Sequence, residues 1–339
     1  MLFRSRCGLS ESYFVPGRVN LIGEHTDYNE GLALPFALHL GVTIDLTTRN
    51  DEQTWIEFEG GSRARVDACD SMEQSVQMAS AVFRRSPRRG IDLRVSSTLP
   101  TGAGLSSSAA YIGALALALG VRGTLLTMAR FVQACEADVG SDVGLLDQIA
   151  TLGASAQAAS LIDFSELAVS HHPLPPSWRF TVVHSEVQRQ LAHSGYADRR
   201  SECRAIYELV GSWSNLNLTS LNRLPSPLQQ RARHIVTENQ RVRDFVAAMA
   251  ADHIILAGQI LTESHASLRD DFEVSLPAVD TLIDTIAVVP GVRGARLIGG
   301  GFGGCVLVLH EPNTEVAIPG HRSWSVEPSE GALGRITTN

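Results

Sequence analysis

Hydrophobic and polar residues alternate with a period of two at 41–49, 54–59 and 91–95, which predicts three strands. Segment 71–85 is amphipathic at the helical period and 124–139 reads as a second helix. Residues 109–119 form a run of small and aliphatic residues of helix length. Strands follow at 156–163 and 179–184, on either side of a Pro-rich break at 172–177. That break divides the chain into an N-terminal lobe, 1–175, and a C-terminal lobe, 176–339. The second half is mostly helical: 196–213, then 229–261 as one long helix or two joined near Ala251 and Asp252, then 276–288. Strands at 292–298 and 306–309 enclose a glycine run, and there are no internal repeats.

One junction organises the first half. Between the strand at 91–95 and the helix at 109–119 lies Leu99-Pro100-Thr101-Gly102-Ala103-Gly104-Leu105-Ser106-Ser107-Ser108. Pro100 cannot donate to a ladder and ends the strand. Gly102 and Gly104 allow positive φ, and the three serines open the helix. A helix N-terminus with unpaired amides and small side chains suits an anion, so the stretch reads as a phosphate cradle. Taken alone, it also fits a strand–turn–helix joint with serine capping.

Composition narrows the chemistry. The 28 basic residues are all arginine; the chain has no lysine. A Walker A loop, the protein-kinase strand lysine and Schiff-base chemistry are therefore excluded. Countercharge for a nucleotide must come from arginine and Mg²⁺. The net charge of −8 argues against a nucleic-acid partner. Five scattered cysteines without a CxxC pair indicate neither a disulfide framework nor a zinc site, and point to a reducing cytoplasm. No long apolar run follows Met1 to Arg6, so neither a signal peptide nor a membrane partner is expected.

Polar chemistry is dense at 12–40, where Arg18, Asn20, Glu24, His25, Asp27, Tyr28 and Asn29 crowd together. Carboxylates, His and Arg in one segment suit a hydroxyl-rich ligand, or a polar surface loop. Asp147 follows a glycine-bearing turn at 140–144 and opens an apolar stretch, as an N-cap or as a base beside the cradle. Five glycines within 299–305 indicate a tight turn or a close ligand.

Three of these segments, PGRVNLIGEHTDYN at 16–29, LPTGAGLSSSAA at 99–110 and GGGFGGC at 299–305, together resemble the three motifs of the GHMP kinases. The first is similar to that of the galactokinase branch. The resemblance covers roughly 12–310. It implies an α+β, two-lobed fold, with an N-lobe like ribosomal protein S5 domain 2, a ferredoxin-like C-lobe and the active site in the cleft between them. It further implies a monomeric enzyme that transfers the γ-phosphoryl of ATP to the C1 hydroxyl of galactose with Mg²⁺. Kinases of galactosamine, arabinose or a uronic acid, and a non-catalytic sugar and ATP sensor, share the scaffold. The complete Ser106 to Ala110 stretch favours an enzyme.

Position by position, the resemblance implies Arg18 and Asp147 as the catalytic pair, with Asp147 orienting or deprotonating the C1 hydroxyl. Glu24, His25, Asp27, Gly144 and Tyr196 match the sugar contacts. Gly102, Ala103, Gly104, Leu105, Ser106, Ser107 and Ser108 match the nucleotide loop, and Gly300, Gly301, Gly303 and Gly304 the third motif. Ser108 matches one Mg²⁺ ligand. The second is a Glu in the helix before Asp147. An ungapped count reaches Cys135, and Glu136 lies one residue, about 100° of helix, further on; Glu136 is taken as the ligand. The family's aromatic adenine wall falls on Met72 and Ser75. The segment after Leu309 is short, without an expected C-terminal helix.

Overall fold

The computed structural model describes residues 10–68, 73–141, 143–187 and 192–337, the side chains of 10, 192–194, 336 and 337 excepted. Met72 lies outside them. In chain order the elements are β1 (Ser10–Asn20), β2 (Leu32–Ala33), β3 (Pro35–Thr48), β4 (Thr54–Phe58), β5 (Arg63–Arg65), α1 (Gln74–Arg85), β6 (Ile91–Ser97), α2 (Ser107–Ala118), α3 (Leu125–Ala137), α4 (Leu146–Gly153), β7 (Ala158–Asp163) and β8 (Ala168–Pro173). After the break come β9 (Arg179–His184), α5 (Ala192–Val210), α6 (Leu228–Ala250), α7 (Ile254–Asp270), α8 (Pro277–Ala287), β10 (Val292–Ile298), β11 (Cys305–His310), β12 (Ser323–Val326), β13 (Pro328–Ser329) and α9 (Ala332–Thr337).

The first lobe is built on a sheet ordered β1-β3-β6-β4-β5, with β13 paired to β3. Helix α2 packs across β1 and β3. It is buried from Ala109 through Ala118, as an apolar helix with no polar face must be. The second lobe carries an antiparallel sheet, β10-β11-β9-β12, packed by α7 and α8. Its own core gathers Ile206, Phe272, Leu282 and Leu297 among others. Among the described residues, no helix is long and apolar enough to cross a membrane.

Three open alternatives are decided and one expectation is overturned. The polar segment at 12–40 begins as a buried strand, not a loop: β1 runs to Asn20, and Arg18 and Asn20 are 8% and 2% exposed. Asp147 is not an N-cap; Leu145 takes that position and Asp147 sits in the first turn of α4. Segment 229–261 is two helices, because Asp252 turns at φ +50 and His253 restarts the helix by accepting from the Leu256 amide. The tail does hold a helix, α9, which packs on α4, so the chain's end returns to the first lobe.

One irregularity positions the site. The pairing of β1 with β3 shifts register between Pro16 and Arg18. A bulge re-aims the residues beside it. Gly17 sits in it, where a Cβ would fall 2.6 Å from the Leu105 carbonyl oxygen, so only glycine admits the loop this close. The Arg18 amide then donates to that carbonyl at 3.2 Å.

Candidate active site

A cavity of about 420 Å³ opens between the lobes. It is lined by Arg18, Glu24, His25, Asp27, Gly102, Gly104, Ser106, Ser107, Ser108, Gly144, Asp147, Tyr196 and Gly300, brought from five separate stretches of chain: 18–27, 102–108, 144–147, 196 and 300. Ala103 and Leu105 are buried beneath the loop, 1% and 2% exposed.

Arg18 stands at the centre. Its Nε donates to Asp147 Oδ1 at 2.8 Å, and Nη2 lies 2.6 Å from the same oxygen. Nη1 donates to the Gly104 carbonyl at 2.8 Å. One side chain thus ties the start of α4 to the glycine–serine loop. Both contacts fall on Oδ1, and Oδ2 makes no hydrogen bond among the described residues.

The loop has the predicted backbone. Gly102 and Gly104 lie at φ +78 and +70, and Ser106 at φ +59 ends it before α2. No side chain caps the helix, so its first amides are left for a ligand. The buried Ser106 hydroxyl has no partner either. Such an arrangement, with an arginine at its edge, can cradle an anion.

At the first turn of α2, Ser108 Oγ donates to Glu136 Oε1 at 2.8 Å. Gln148 Nε2 donates to the other carboxylate oxygen. Burial pushes the Glu136 carboxyl up to about 7, and the Asp147 charge pushes the same way. Cys135 is turned into the core, fully buried, with its thiol raised by burial to about 11. Of the two positions, Glu136 is therefore the one that faces Ser108. A hydroxyl and a carboxylate together fit Mg²⁺, which keeps waters and takes phosphate oxygens for its other positions. Among the described residues no group of three or more His, Cys, Asp or Glu forms a closed metal cage.

The opposite wall is built for hydroxyls. His25, at φ +62, has Nδ1 2.7 Å from the Tyr28 hydroxyl and its ring centroid 4.6 Å from that of Phe272. Its Nε2 is buried and unpartnered, and burial holds the ring well below its usual range, hence neutral. Glu24 Oε1 accepts from the Gly299 amide at 3.0 Å. Asp27 is seated against Gly144, where a Cβ would fall 1.6 Å from Oδ2. Burial, with Asp147 and then Glu24 adding charge, raises Asp27 to about 7. Tyr196, on α5, has its ring beside Gly300, and burial raises its hydroxyl above the ordinary tyrosine range.

The third motif divides. Gly299 and Gly300 reach the cavity. Gly301 backs onto Val274, Gly303 onto Val187, and the Gly304 carbonyl accepts from the Ser185 amide, so these three shape the turn. Ser75 meets the first lobe through its carbonyl, which accepts from the Tyr111 hydroxyl at 2.9 Å. Sequence reasoning placed Tyr28 in the polar cluster at 12–40 and Gly299 in the glycine run, but gave no role to Gln148 or Arg296. Arg296 carried no signal, because nothing in the pattern of β10 marks a buried cation.

Comparison with known proteins finds relatives over most of the chain. Residues 1–47 match the galactokinase galactose-binding signature, 74–154 the GHMP kinases N-terminal domain, and 245–318 the GHMP kinases C-terminal domain. The chain is 37% identical to a galactokinase of Roseiflexus sp. (strain RS-1), over 95% of this chain and 88% of that protein. It is 32% identical to a galactokinase of Actinobacillus pleuropneumoniae, over 91% and 87%. The crystal structure of Lactococcus lactis galactokinase complexed with galactose superposes with a TM-score of 0.84 at 27% identity, covering 95% of this chain and 94% of that one. A mevalonate kinase structure shares the fold, with a TM-score of 0.68 at 15% identity over 94% of this chain and 99% of that one.

Proposed function

We propose that Arg18 and Asp147 carry phosphoryl transfer in this chain, which belongs to the galactokinase family of the GHMP kinases and phosphorylates galactose at its C1 hydroxyl with ATP. The observation that supports these roles is the Arg18–Asp147 pair, bonded at 2.8 Å and set between the anion cradle and the hydroxyl-binding wall. Asp147 Oδ2, left open beside the cavity, orients the C1 hydroxyl and accepts its proton. Arg18, also tied to the Gly104 carbonyl, lies where charge spreads during transfer. Phosphoryl transfer asks mainly for alignment, which residues on two rigid lobes supply.

Galactose is held by Glu24, His25, Asp27, Tyr196 and the turn at Gly144. Neutral His25 offers Nε2 to a hydroxyl, and Glu24 accepts from one. The phosphates take the Gly102–Ser108 loop. Ser108 and Glu136 hold Mg²⁺, which supplies charge neutralisation of the ATP phosphates when bound. Gly300 completes the sugar wall beside Tyr196, with Gly301, Gly303 and Gly304 shaping the turn behind it. A monomer in the cytoplasm completes the reading, on the scattered cysteines and acidic balance.

A coupled assay of ADP release across a panel of sugars tests the substrate assignment. Glucose differs from galactose only in the direction of the C4 hydroxyl and would leave buried polar groups unpaired, at about 1–3 kcal/mol each. Galactose is expected to exceed glucose by roughly a hundredfold or more in kcat/KM. Equal efficiency for the two, or a higher value for arabinose or galacturonate, contradicts the assignment.

A further inference from the structure

Arg296 is the largest fully buried side chain among the described residues. It stands on β10, three residues before Gly299. Its Nη1 donates to the Leu21 carbonyl at 2.8 Å, and Nη2 lies 3.3 Å from Glu24 Oε1. The same Glu24 oxygen accepts the Gly299 amide at 3.0 Å. Leu21 and Glu24 belong to the first lobe, Arg296 and Gly299 to the second.

We infer that Arg296, together with the Gly299 amide, is a positioning residue for the sugar site: it grips one oxygen of Glu24 across the seam between the lobes and so sets how Glu24 presents its carboxylate to galactose. The inference rests on the reading of Glu24 as a sugar ligand. It gives the strand that leads into the third motif a task of its own, since that strand and the first glycine both act on a sugar residue.

A merely structural role explains the arrangement poorly. Taking a guanidinium and a carboxylate out of water costs more than an apolar pair of similar volume. Arg296 Nε and Nη2 make no well-aligned hydrogen bond, so the cation is not there to satisfy its own donors. It does satisfy Glu24. Burial pushes that carboxyl up, while Arg296 first and Arg18 next pull it back toward the ionised, accepting form. Arg18, the other cation acting on Glu24, has its three nitrogens committed to Asp147 and the Gly104 carbonyl, and the remaining neighbours supply no positive charge. Asp27 and Glu238 are acidic, and His234, against the Glu24 carbonyl, is held by burial at about 4 and so stays neutral. A lysine has one compact head group and cannot span Leu21 and Glu24 together.

The test is a double-mutant cycle on the whole enzyme, read as KM for galactose, KM for ATP, kcat and melting temperature. Arg296→Lys is expected to raise galactose KM roughly tenfold, with ATP KM and kcat within about threefold. Glu24→Gln raises galactose KM by itself. Combined with Arg296→Met, it is expected to show little further loss, because the two residues act as one unit. An unchanged galactose KM in Arg296→Lys, or parallel losses in both KM values that track melting temperature, overturns the inference. So do additive losses in the double variant, which also decides the matter if Arg296→Lys fails to fold. If Glu24→Gln leaves galactose KM unchanged, the sugar-ligand reading of Glu24 falls, and this inference with it. A loss in Glu24→Gln alone leaves that reading standing.

Discussion

At the scale of single residues, the site is a set of carboxylates given different tasks by their surroundings. Asp147 is paired with Arg18, Glu24 with Arg296 and the Gly299 amide, Glu136 with Ser108 and Gln148. Asp27 and Glu136 are both raised to about 7, chiefly by burial. For Glu136 the sign follows directly. Folded, it holds its proton up to about pH 7; unfolded, only to its ordinary value of 4.5. Its protonated form therefore contributes stability below about 4.5, and that contribution is lost as pH rises toward 7. Mg²⁺ needs the ionised form. The Mg²⁺ concentration for half-maximal activity is expected to fall as pH rises through 7 in the wild type, and to lose most of that dependence in Glu136→Gln. Titrating Mg²⁺ between pH 6 and 8 checks this. A Glu136→Gln variant with the wild-type profile would move the metal elsewhere. The sequence alone showed that Cys135 and Glu136 competed for this position; the choice between them needed the rotation of α3, which a one-residue count cannot supply.

At the scale of elements, the strands and helices that carry a clean period were legible in the sequence. β9 and β10 have the bounds expected of them, and α2 and α8 differ by a residue or two. β1 was not, because Arg18 and Asn20 replace apolar residues at its buried end and break the pattern where function needs polar groups. The short pairs β12 and β13 were also missed, since four and two residues hold too little pattern to read. The turn before α4 shows how an element constrains a residue. Gly144 leaves room for Asp27, and an added Cβ would fall 1.6 Å from its carboxylate oxygen. Gly144→Ala is expected to raise galactose KM at least roughly tenfold while leaving ATP KM near wild type. Steady-state kinetics on both substrates checks this, and an unchanged galactose KM would show that Asp27 is not seated against this turn.

At the scale of the whole molecule, two lobes meet around one cavity. The first supplies the loop, the polar segment from Arg18 to Tyr28 and Asp147; the second supplies Tyr196, Gly299 and Gly300. The motifs in the sequence showed that these pieces belong together, but not that β10 reaches across the seam or that the chain's end returns to pack α9 on α4. Long-range contacts of that kind leave no local period. On the proposed reading, the assembly sets a sugar hydroxyl beside Asp147 and phosphates beside the loop, with Arg18 between them. The most direct measurement is turnover and galactose affinity for Asp147→Asn, which keeps the shape of the side chain and removes its charge. The expected result is a kcat lower by on the order of a thousandfold, with the galactose Kd from calorimetry within about threefold of wild type. A variant that retains kcat within about tenfold would contradict the assignment of Asp147 as the group that orients and deprotonates the C1 hydroxyl.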